Sequence, residues 1–452
     1  MHRRELLGAG AGFLALSGCL QDGATSDPED EETPVPVRRT ATGGPPAVEW
    51  RREYGTQGRP ATYTENGNPG LRANSLLRAP DGFVVTGEAR TGGIDAYVQK
   101  LDQSGGTTWI HVFGRESVNT EDVYQGDGPN RGEAIARAGD GGYVVVGSQP
   151  QSQSAGDGGS DSTGWAAKLD PGGSVAWHIV PDGQPWGSFE EVVPTGDGGY
   201  ALTGWRRGAD GIEGWFATLT AEGSMTTDAG YDTETDTLGE IRNGFHSVTP
   251  AGDGGFLHVG KHAGGAWLLR AGPDGTTYWE RRLEDPFVVA KDAVETADGH
   301  FLVTGRRRMA DQSATYTITN TEAHPSDLFL SRVTPDGEVE WTRTHDGGAN
   351  EIGNALVATA DGGHLVAGTH KRHRNEGIFL CKTRSDGSAQ WTESYLTEEH
   401  VEGTDVVQAP DGGFVVTGRD SVVKFGDTAT PTEKPVSPTE TGTWSGSDTA
   451  ME

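Results

Sequence analysis

The sequence predicts an all-β fold, a seven-bladed β-propeller of four-stranded antiparallel blades, and three observations lead to it. The first is a repeat in which an Asp-Gly turn precedes a short apolar run that ends at a glycine. A repeat that cannot bury its own apolar face is one supersecondary unit of an array. The seven copies begin at Asp81, Asp140, Asp197, Asp253, Asp298, Asp361 and Asp411.

The second observation is that each copy holds four strand-like runs. Around Asp361 they cover residues 354–358, 364–367, 377–383 and 390–395, and Asp-Gly turns join the first to the second and the third to the fourth. Four antiparallel strands per repeat, arranged radially, form a propeller blade. The fourth run carries a tryptophan in most copies, although the copy around Asp197 lacks it. These tryptophans are Trp109, Trp177, Trp279, Trp341 and Trp391.

The third observation concerns the two ends of the repeat array. The last repeat stops after its third run, residues 421–425, whereas residues 47–55 before the first repeat resemble the fourth run at 337–344. Pairing the N-terminal strand into the last blade closes the ring and covers edges that otherwise invite aggregation. An open solenoid, the alternative, does not need complementary ends.

Composition limits the classes of partner. The formal net charge is −30, and only eight of the 36 basic residues are lysines. Because acidic residues are spread along the whole chain, adaptation to high salt explains the charge better than an acidic patch for a basic partner. This composition resembles that of haloarchaeal proteins. Nucleic-acid binding is disfavoured, since contact with phosphates needs a positive surface.

The N-terminus is predicted to be a targeting segment. Arg3 and Arg4 resemble a twin-arginine export signal, residues 8–16 are apolar, and residues 16–19 resemble a lipobox that ends at Cys19. The apolar stretch is shorter than the ~20 residues of a membrane-spanning helix. We therefore expect a signal peptide over residues 1–18 and a mature chain that is lipid-anchored through Cys19.

The remaining segments follow from composition. Residues 19–46 are rich in Asp, Glu, Thr and Pro and predict a disordered acidic tether, residues 47–427 the propeller, and residues 428–452 a disordered Thr/Ser/Pro-rich tail. Cys381, in an apolar run, is expected to be a buried small hydrophobic residue. With Cys19 lipidated, no disulfide is expected.

Strand order assigns the loops to two faces. The short Asp-Gly turns lie on one face, and the connections between second and third strands and between blades lie on the opposite, long-loop face. Binding residues are concentrated on variable loops of a rigid scaffold, so we place any site on the long-loop face. Its predicted loops cover residues 115–131, 149–164, 231–243, 306–327 and 370–377.

A polar residue about seven positions before each Asp-Gly turn should ring the mouth of the central channel. A ring of carboxylates and amides suits Ca²⁺, which favours several oxygen ligands; no other cofactor is expected. The ring residues are Asn74, Glu133, Glu190, His246, Asp292, Asn354 and Asp405.

A basic cluster follows the second strand of several blades. Arginine suits carboxylate, sulfate or phosphate groups, so these residues are candidates for binding an anion or a partner. The alternatives are cross-strand charge pairs, Asp292 with Arg306 and Asp405 with Arg419, or solvated loop charges. The candidates are Arg206, Arg207, Lys261, Arg306, Arg307, Arg308, His370, Lys371, Arg372, His373, Arg374 and Arg419.

Signals for metal binding and catalysis are weak. His370 and His373 lack a placed third ligand, and the acidic stretches 157–161 and 232–236 lack the full spacing of an EF-hand. No nucleophile elbow, zinc-protease motif, phosphate-binding loop or Cys-x-x-Cys motif is present. The alternative to a binding module is a propeller-type enzyme, a dehydrogenase or a polysaccharide lyase or hydrolase. Its site at the channel mouth would use Glu133, Glu190, Asp292 and Asp405.

Two segments, residues 100–109 and 168–177, each run from Lys-Leu-Asp through glycines to a tryptophan. They resemble the blade repeats of quinoprotein-like (PQQ-repeat-like) propellers, over residues 47–427. They also resemble the Asp-Gly-Gly-Tyr propeller lipoproteins of archaea and bacteria, of the haloarchaeal type. The resemblance implies that the tryptophan docks between blades. The family's enzymes bind pyrroloquinoline quinone with Ca²⁺ ligands and an adjacent-cysteine disulfide, and this chain has no adjacent cysteines.

Non-catalytic members of that family, such as the propeller lipoprotein of outer-membrane β-barrel assembly, are scaffolds. We therefore expect an exported, lipid-anchored propeller on the outer face of the cytoplasmic membrane. It would act as a non-catalytic binding or scaffold module whose long-loop face meets a protein or an acidic glycan.

Overall fold

A computed structural model confirms the predicted seven-bladed propeller. The described residues form 28 strands in seven four-stranded antiparallel sheets. Within them, no helix is long and apolar enough to cross a bilayer. The described ranges are 45–53, 70–90, 94–113, 131–150, 162–181, 183, 186–232, 243–262, 265–283, 288–308, 326–347, 350–372, 375–396 and 402–427.

The blades follow one another along the chain, and each innermost strand lines the central channel. Blade 1 contains β2 (Gly70–Ala79), β3 (Gly82–Arg90), β4 (Ile94–Asp102) and β5 (Thr107–Val112). Blade 2 contains β6 (Arg131–Arg137), β7 (Tyr143–Pro150), β8 (Ser162–Leu169) and β9 (Val175–Ile179). Blade 3 contains β10 (Gly187–Pro194), β11 (Tyr200–Arg207), β12 (Ile212–Leu219) and β13 (Met225–Asp232). Blade 4 contains β14 (Gly244–Pro250), β15 (Phe256–His262), β16 (Gly265–Ala271) and β17 (Thr277–Arg282).

The last three blades complete the ring. Blade 5 contains β18 (Val288–Glu295), β19 (Phe301–Arg308), β20 (Ser326–Val333) and β21 (Val339–His345). Blade 6 contains β22 (Asn350–Ala358), β23 (His364–Arg372), β24 (Asn375–Thr383) and β25 (Ala389–Leu396). Blade 7 contains β26 (Gly403–Gln408), β27 (Phe414–Gly418), β28 (Ser421–Phe425) and, as its outer strand, β1 (Val48–Glu53). The pairing of β1 with β28, with Arg51 opposite Val423, confirms the predicted closure.

The second and third strands run further than the sequence suggested. In blade 6 the ladder continues past Gly368, with His370 opposite Gly377 and Lys371 opposite Glu376. Arg307 and Arg308 are likewise paired, with Asp327 and Ser326. The prediction that the basic cluster follows the second strand was therefore wrong for these residues, because a polar two-stranded ribbon persists where its cross-strand partners are complementary.

The core lies between blades, where apolar faces of adjacent sheets pack together at every junction of the ring. At most junctions an outer-strand tryptophan lies against a glycine turn of the next blade. A Cβ on Gly223, whose φ is +86°, would meet Trp177 Cδ2 at 2.9 Å. Trp177 Nε1 also donates to Ala221 O at 3.0 Å. The tryptophan of the repeat therefore docks between blades.

Blade 3 achieves the same docking without a tryptophan. Thr227 occupies the equivalent position, and its Oγ1 donates to Pro273 O at 3.0 Å. Tyr231, four residues further along the same strand, donates its hydroxyl hydrogen to Gly275 O at 2.8 Å. Two smaller donors thus replace one indole, which explains why the repeat tolerates the loss of the tryptophan in this copy.

Candidate functional site

Every innermost strand carries a β-bulge near the channel mouth, which re-aims one side chain per blade. In each case the register shifts around the residue seven positions before the aspartate of the Asp-Gly turn. The seven bulge residues are Asn74, Glu133, Glu190, His246, Lys291, Asn354 and Thr404.

The structure corrects two members of the predicted ring. Asp292 and Asp405 lie one residue beyond the bulge, and Lys291 and Thr404 take the bulge positions. A strict spacing of seven to the Asp-Gly turn would have identified both. The approximate spacing instead favoured carboxylates at the neighbouring position, whose side chains point differently because the pleat alternates.

Several of the bulge side chains join one blade to the next. Asn74 Nδ2 donates to Gly132 O at 2.9 Å, and Asn354 Nδ2 donates to Gly403 O at 2.7 Å. Thr404 Oγ1 donates to the carbonyl of the first blade's Ala73 at 3.3 Å. Each acceptor is the residue just before the next blade's bulge, so these three bonds occupy equivalent places in the ring.

His246 makes the same connection from blade 4 to blade 5. Its Nδ1 lies 2.8 Å from Ala290 O, and because a carbonyl only accepts, Nδ1 carries the proton. Burial, followed by the charge of Lys291, lowers the pKa of His246 to about 3. His246 is therefore a neutral structural donor at ordinary pH.

A second ring, one residue further along the strands, holds three carboxylates: Glu191, Asp292 and Asp405. Asp292 links three blades, since its Oδ1 accepts from Ser247 Oγ at 2.8 Å and its Oδ2 from the Leu356 amide at 2.7 Å. Asp405 joins blade 7 to blade 1 in the same way, through Ser75 Oγ at 3.0 Å and the amide that follows it.

These carboxylates titrate abnormally. Burial raises the pKa of Asp292 to about 6, with a smaller contribution from the charge of Asp405. Burial also raises the pKa of Asp405, and it raises the pKa of Glu191 well above its usual range together with the charges of Asp405 and Asp292. Each keeps some contact with channel solvent, and the three repel one another across the channel.

Glu190 and Glu133, the other two carboxylates of the predicted enzyme site, also accept hydrogen bonds. Glu190 Oε1 accepts from Trp205 Nε1 at 3.0 Å, and Glu133 Oε2 accepts from Asn74 Nδ2 at 3.3 Å. Neither predicted cross-strand charge pair is in register, since Asp292 lies opposite Thr304 and Asp405 opposite Thr417.

Much of the predicted basic cluster is neutralised within its own sheet. Arg206 forms ion pairs with Glu213 and Asp228. Lys371 pairs with Glu376 across the ladder. His370 Nδ1 lies 3.1 Å from Glu351 Oε1. Arg419 makes a longer contact, with its Nη1 3.6 Å from Glu402 Oε1, and Lys261 is buried.

Arg207 and Arg307 are exposed, and they differ in their surroundings. The guanidinium of Arg207 stacks over the Trp186 ring at 4.7 Å. Arg307 lines a cavity of about 700 Å³ between blades 4 and 5, together with Arg281 and Arg282 at the end of β17. Arg281 and Arg282 were not predicted from the sequence, because they end an outer strand, whereas the predicted basic cluster follows second strands.

One group of carboxylates in the described part of the chain lies close enough to share a cation. Oxygens of Asp327, Asp346 and Glu351 lie within 4.8 Å of one another on the long-loop face. Burial and the neighbouring Asp346 raise the pKa of Asp327. These are oxygen ligands of the kind that Ca²⁺ prefers. The predicted channel ring forms no such group among the described residues, and Ca²⁺ binding there stays a prediction.

Several predicted features lie outside the described residues. These are the export signal with Cys19, most of the acidic tether, the tail at 428–452, His373 and Arg374, the stretch 157–161 and residues 233–236. The backbone of Arg308 and Arg372 is described, but their side chains are not. The predicted long loops fall largely in the same gaps.

Comparison with known proteins agrees with the fold. No family model and no curated sequence matches the chain. Among solved structures, hydrazine synthase of Kuenenia stuttgartiensis superposes with a TM-score of 0.52 at 13% identity, over 83% of this chain and 99% of that one. An ulvan lyase bound to -[GlcA(1-4)Rha3S]- gives 0.52 at 9% identity, over 80% and 94%. At such identities the likeness establishes the propeller fold alone.

Proposed function

We propose that this propeller is a non-catalytic binding or scaffold module, exported and lipid-anchored at the cell surface, that meets its partner on the long-loop face. This proposal is supported by the structural role of the polar groups at the channel mouth. Asn74, His246, Asn354, Asp292 and Asp405 all form hydrogen bonds that join blades. Groups committed to holding the ring together are poor candidates for moving protons on a substrate.

The test measures binding and catalysis on the same samples. The full chain with Cys19→Ala, which cannot carry the lipid, is sedimented with cell envelopes from a strain that lacks the protein. We expect saturable binding that is lost after the envelopes are treated with protease, for a protein partner, or with periodate, for a glycan partner. Binding that does not saturate, or that survives both treatments, would contradict the proposal.

The enzyme alternative is judged from the supernatants. A lyase or hydrolase would release unsaturated uronates, seen by ultraviolet absorbance, or new reducing ends. We expect neither. Product that disappears in Glu190→Gln and persists in the exposed-site control Glu222→Gln would instead assign catalysis to the channel mouth.

The anchor has a separate test. The unaltered chain should partition into the detergent phase after membrane extraction, whereas Cys19→Ala should appear in the aqueous phase or the medium. Equal partitioning of the two chains would remove the lipid from the proposal and leave the binding module intact.

A further inference from the structure

We propose that the cavity between blades 4 and 5 binds an acidic oligosaccharide through its carboxylate or sulfate groups. This deepens the proposed function, on which it rests, by naming a site and a class of ligand. The cavity volume of about 700 Å³ falls within the range of roughly 300–1,000 Å³ that small-ligand sites occupy.

The walls of the cavity come from two blades. Blade 4 contributes β16 and the end of its outer strand β17, and blade 5 contributes β18, β19, β20, the turn at Gly337 and the start of β21. The floor is apolar and closed by side chains that are almost fully buried, while the rim is charged and exposed. The floor contains Leu268, Val288 and Phe329, and the rim contains Arg281, Arg282 and Arg307.

The rim is positive in a protein of net charge −30. Three guanidinium groups line the cavity against one carboxylate, Glu338. Arg281 Nη2 lies 3.7 Å from Glu338 Oε1, and Arg282 Nε lies 4.0 Å from Glu280 Oε1. These contacts are too long for hydrogen bonds, unlike the close ion pairs of Arg206 and Lys371 elsewhere in the molecule.

The guanidiniums keep donors for a ligand. Arg281 Nη1 donates to Glu280 O at 2.9 Å, and Arg282 Nη2 lies 3.2 Å from His262 Nε2. Each guanidinium has five N–H donors, so these bonds fix its position and leave others to meet an anion. The two side chains are 44% and 43% exposed, and a ligand reaches them without unfolding the strand.

Arg307 closes the inner side of the rim. It lies opposite Val288 in one ladder and opposite Asp327 in the other. Its charge lowers the pKa of Asp327 against the effect of burial. Arg307 thus adds a third guanidinium group to the rim, beside that carboxylate.

An oligosaccharide fits this lining better than an acidic peptide does. A sugar ring carries C–H faces for an apolar floor and carboxylate or sulfate groups for the rim on one rigid frame. A peptide must immobilise two or more flexible acidic side chains to present the same groups, at a cost in rotamer entropy for each. Arginine forks bind planar carboxylates and sulfates in two-point fashion.

The test titrates the full chain with four probes at constant ionic strength: a galacturonate tetrasaccharide, a sulfated galactan tetrasaccharide, neutral cellotetraose and pentaglutamate. Binding is followed by calorimetry. We expect saturable binding of at least one anionic saccharide, with the two saccharides separating carboxylate from sulfate recognition. Cellotetraose should not bind.

The variant R281Q/R282Q should weaken saccharide binding by about 10-fold or more, since each lost charge-assisted hydrogen bond removes affinity. The matched control is Arg419→Gln on blade 7, whose side chain is also 44% exposed and has a carboxylate at 3.6 Å; it should bind as the unaltered chain does. Thermal unfolding verifies that each variant is folded.

Three outcomes would overturn the inference: no binding of either anionic saccharide, equal losses in R281Q/R282Q and Arg419→Gln, or tighter binding of pentaglutamate than of either saccharide. In each case the envelope-binding assay decides separately on the proposed function. If the unaltered chain and R281Q/R282Q bind envelopes equally, the module stands and the cavity is not its site.

Discussion

Lys382 Nζ lies 2.9 Å from Asp361 Oδ2 beneath the Asp-Gly turn of blade 6, and the lysine side chain is 1% exposed. The same aspartate accepts the Gly363 amide at 3.0 Å. A basic residue of the third strand meets the turn aspartate in six of the seven blades. The pairs are Lys100–Asp81, Lys168–Asp140, Arg270–Asp253, Arg332–Asp298, Lys382–Asp361 and Lys424–Asp411.

Replacing the buried lysine should destabilise the protein. Lys382→Met leaves the Asp361 carboxylate, itself 14% exposed, without its cation. Removing one partner of a buried pair typically costs 3–5 kcal/mol, and we expect a loss of about 3 kcal/mol in the free energy of unfolding. Urea unfolding, followed by tryptophan fluorescence, measures it.

The matched control is Lys100→Met in blade 1. Asp81, its partner, is 66% exposed, so its carboxylate returns to water when the lysine is removed. The loss should be about 1 kcal/mol. Equal losses in the two variants would show that burial of the aspartate does not set the strength of the pair.

Docking of tryptophan against glycine can be isolated within blade 3. Gly223 and Gly198 have the same backbone conformation, with φ of +86° and +87°, but a Cβ meets Trp177 at 2.9 Å at the first and nothing within 4 Å at the second. Gly198→Ala should cost about 1 kcal/mol for the left-handed conformation, and Gly223→Ala about 1–2 kcal/mol more for overpacking. Urea unfolding midpoints of the two variants measure these losses. Equal midpoints would contradict the docking role of the glycine turn.

Most of the fold was predicted from the sequence. The count of Asp-Gly turns set the number of blades, and the complementary runs at 47–55 and 421–425 predicted the closure. Strand lengths were underestimated because Arg307 and His370 are polar, and apolar periodicity does not register a strand that continues as a charged ribbon. The compensation of the missing tryptophan by Thr227 and Tyr231 depends on carbonyls of another blade, which no local pattern reveals.

The site was predicted less well, for physical reasons. The seven-residue spacing before each Asp-Gly turn located the bulge ring. At two positions carboxylates were preferred, so the neighbouring Asp292 and Asp405 were predicted in place of Lys291 and Thr404. Ion pairing of Arg206 was not visible, since Glu213 and Asp228 lie on two other strands. An ion pair is not visible in the sequence when its two residues lie on different strands.

The channel carboxylates should make stability depend on pH in an unusual direction. The pKa of Asp292 is about 6 in the folded protein and 3.8 as its ordinary value. The folded state therefore binds the proton more tightly, and the stability that the proton contributes is lost as pH rises through about 6. Asp292→Asn carries no such proton. Its stability relative to the unaltered chain should improve by about 1 kcal/mol between pH 5 and pH 7.5.

The control for this prediction is Asp298→Asn in the same blade. Hydrogen bonds from Thr296 and Arg332 lower the pKa of Asp298, so that carboxyl is ionised throughout the same pH range in both states. The stability difference between this variant and the unaltered chain should not change with pH. Urea midpoints at half-unit pH steps test both variants; a flat difference for Asp292→Asn would contradict the raised pKa.

Charge repulsion should make the fold depend on salt. With a formal net charge of −30, we propose that the protein is adapted to high salt, because screening weakens self-repulsion of the compact state. The temperature of unfolding should rise between 0.1 M and 2 M NaCl. An unchanged or falling temperature over this range would contradict the adaptation.

Cys381 should react with thiol reagents only after the propeller opens. Its side chain is fully buried between blades 5 and 6, as the sequence predicted, and burial raises its pKa to about 12. The thiolate is the reactive form, so both access and ionisation protect it. In a Cys19→Ser chain, labelling by a disulfide reagent at pH 8 should be negligible under native conditions and complete in urea. The urea midpoint of labelling should equal the unfolding midpoint measured by tryptophan fluorescence. The control Ser104→Cys, on the exposed turn of blade 1, gives the labelling rate of an accessible thiol. Labelling of Cys381 at that rate without urea would show that the junction of blades 5 and 6 opens in the folded protein.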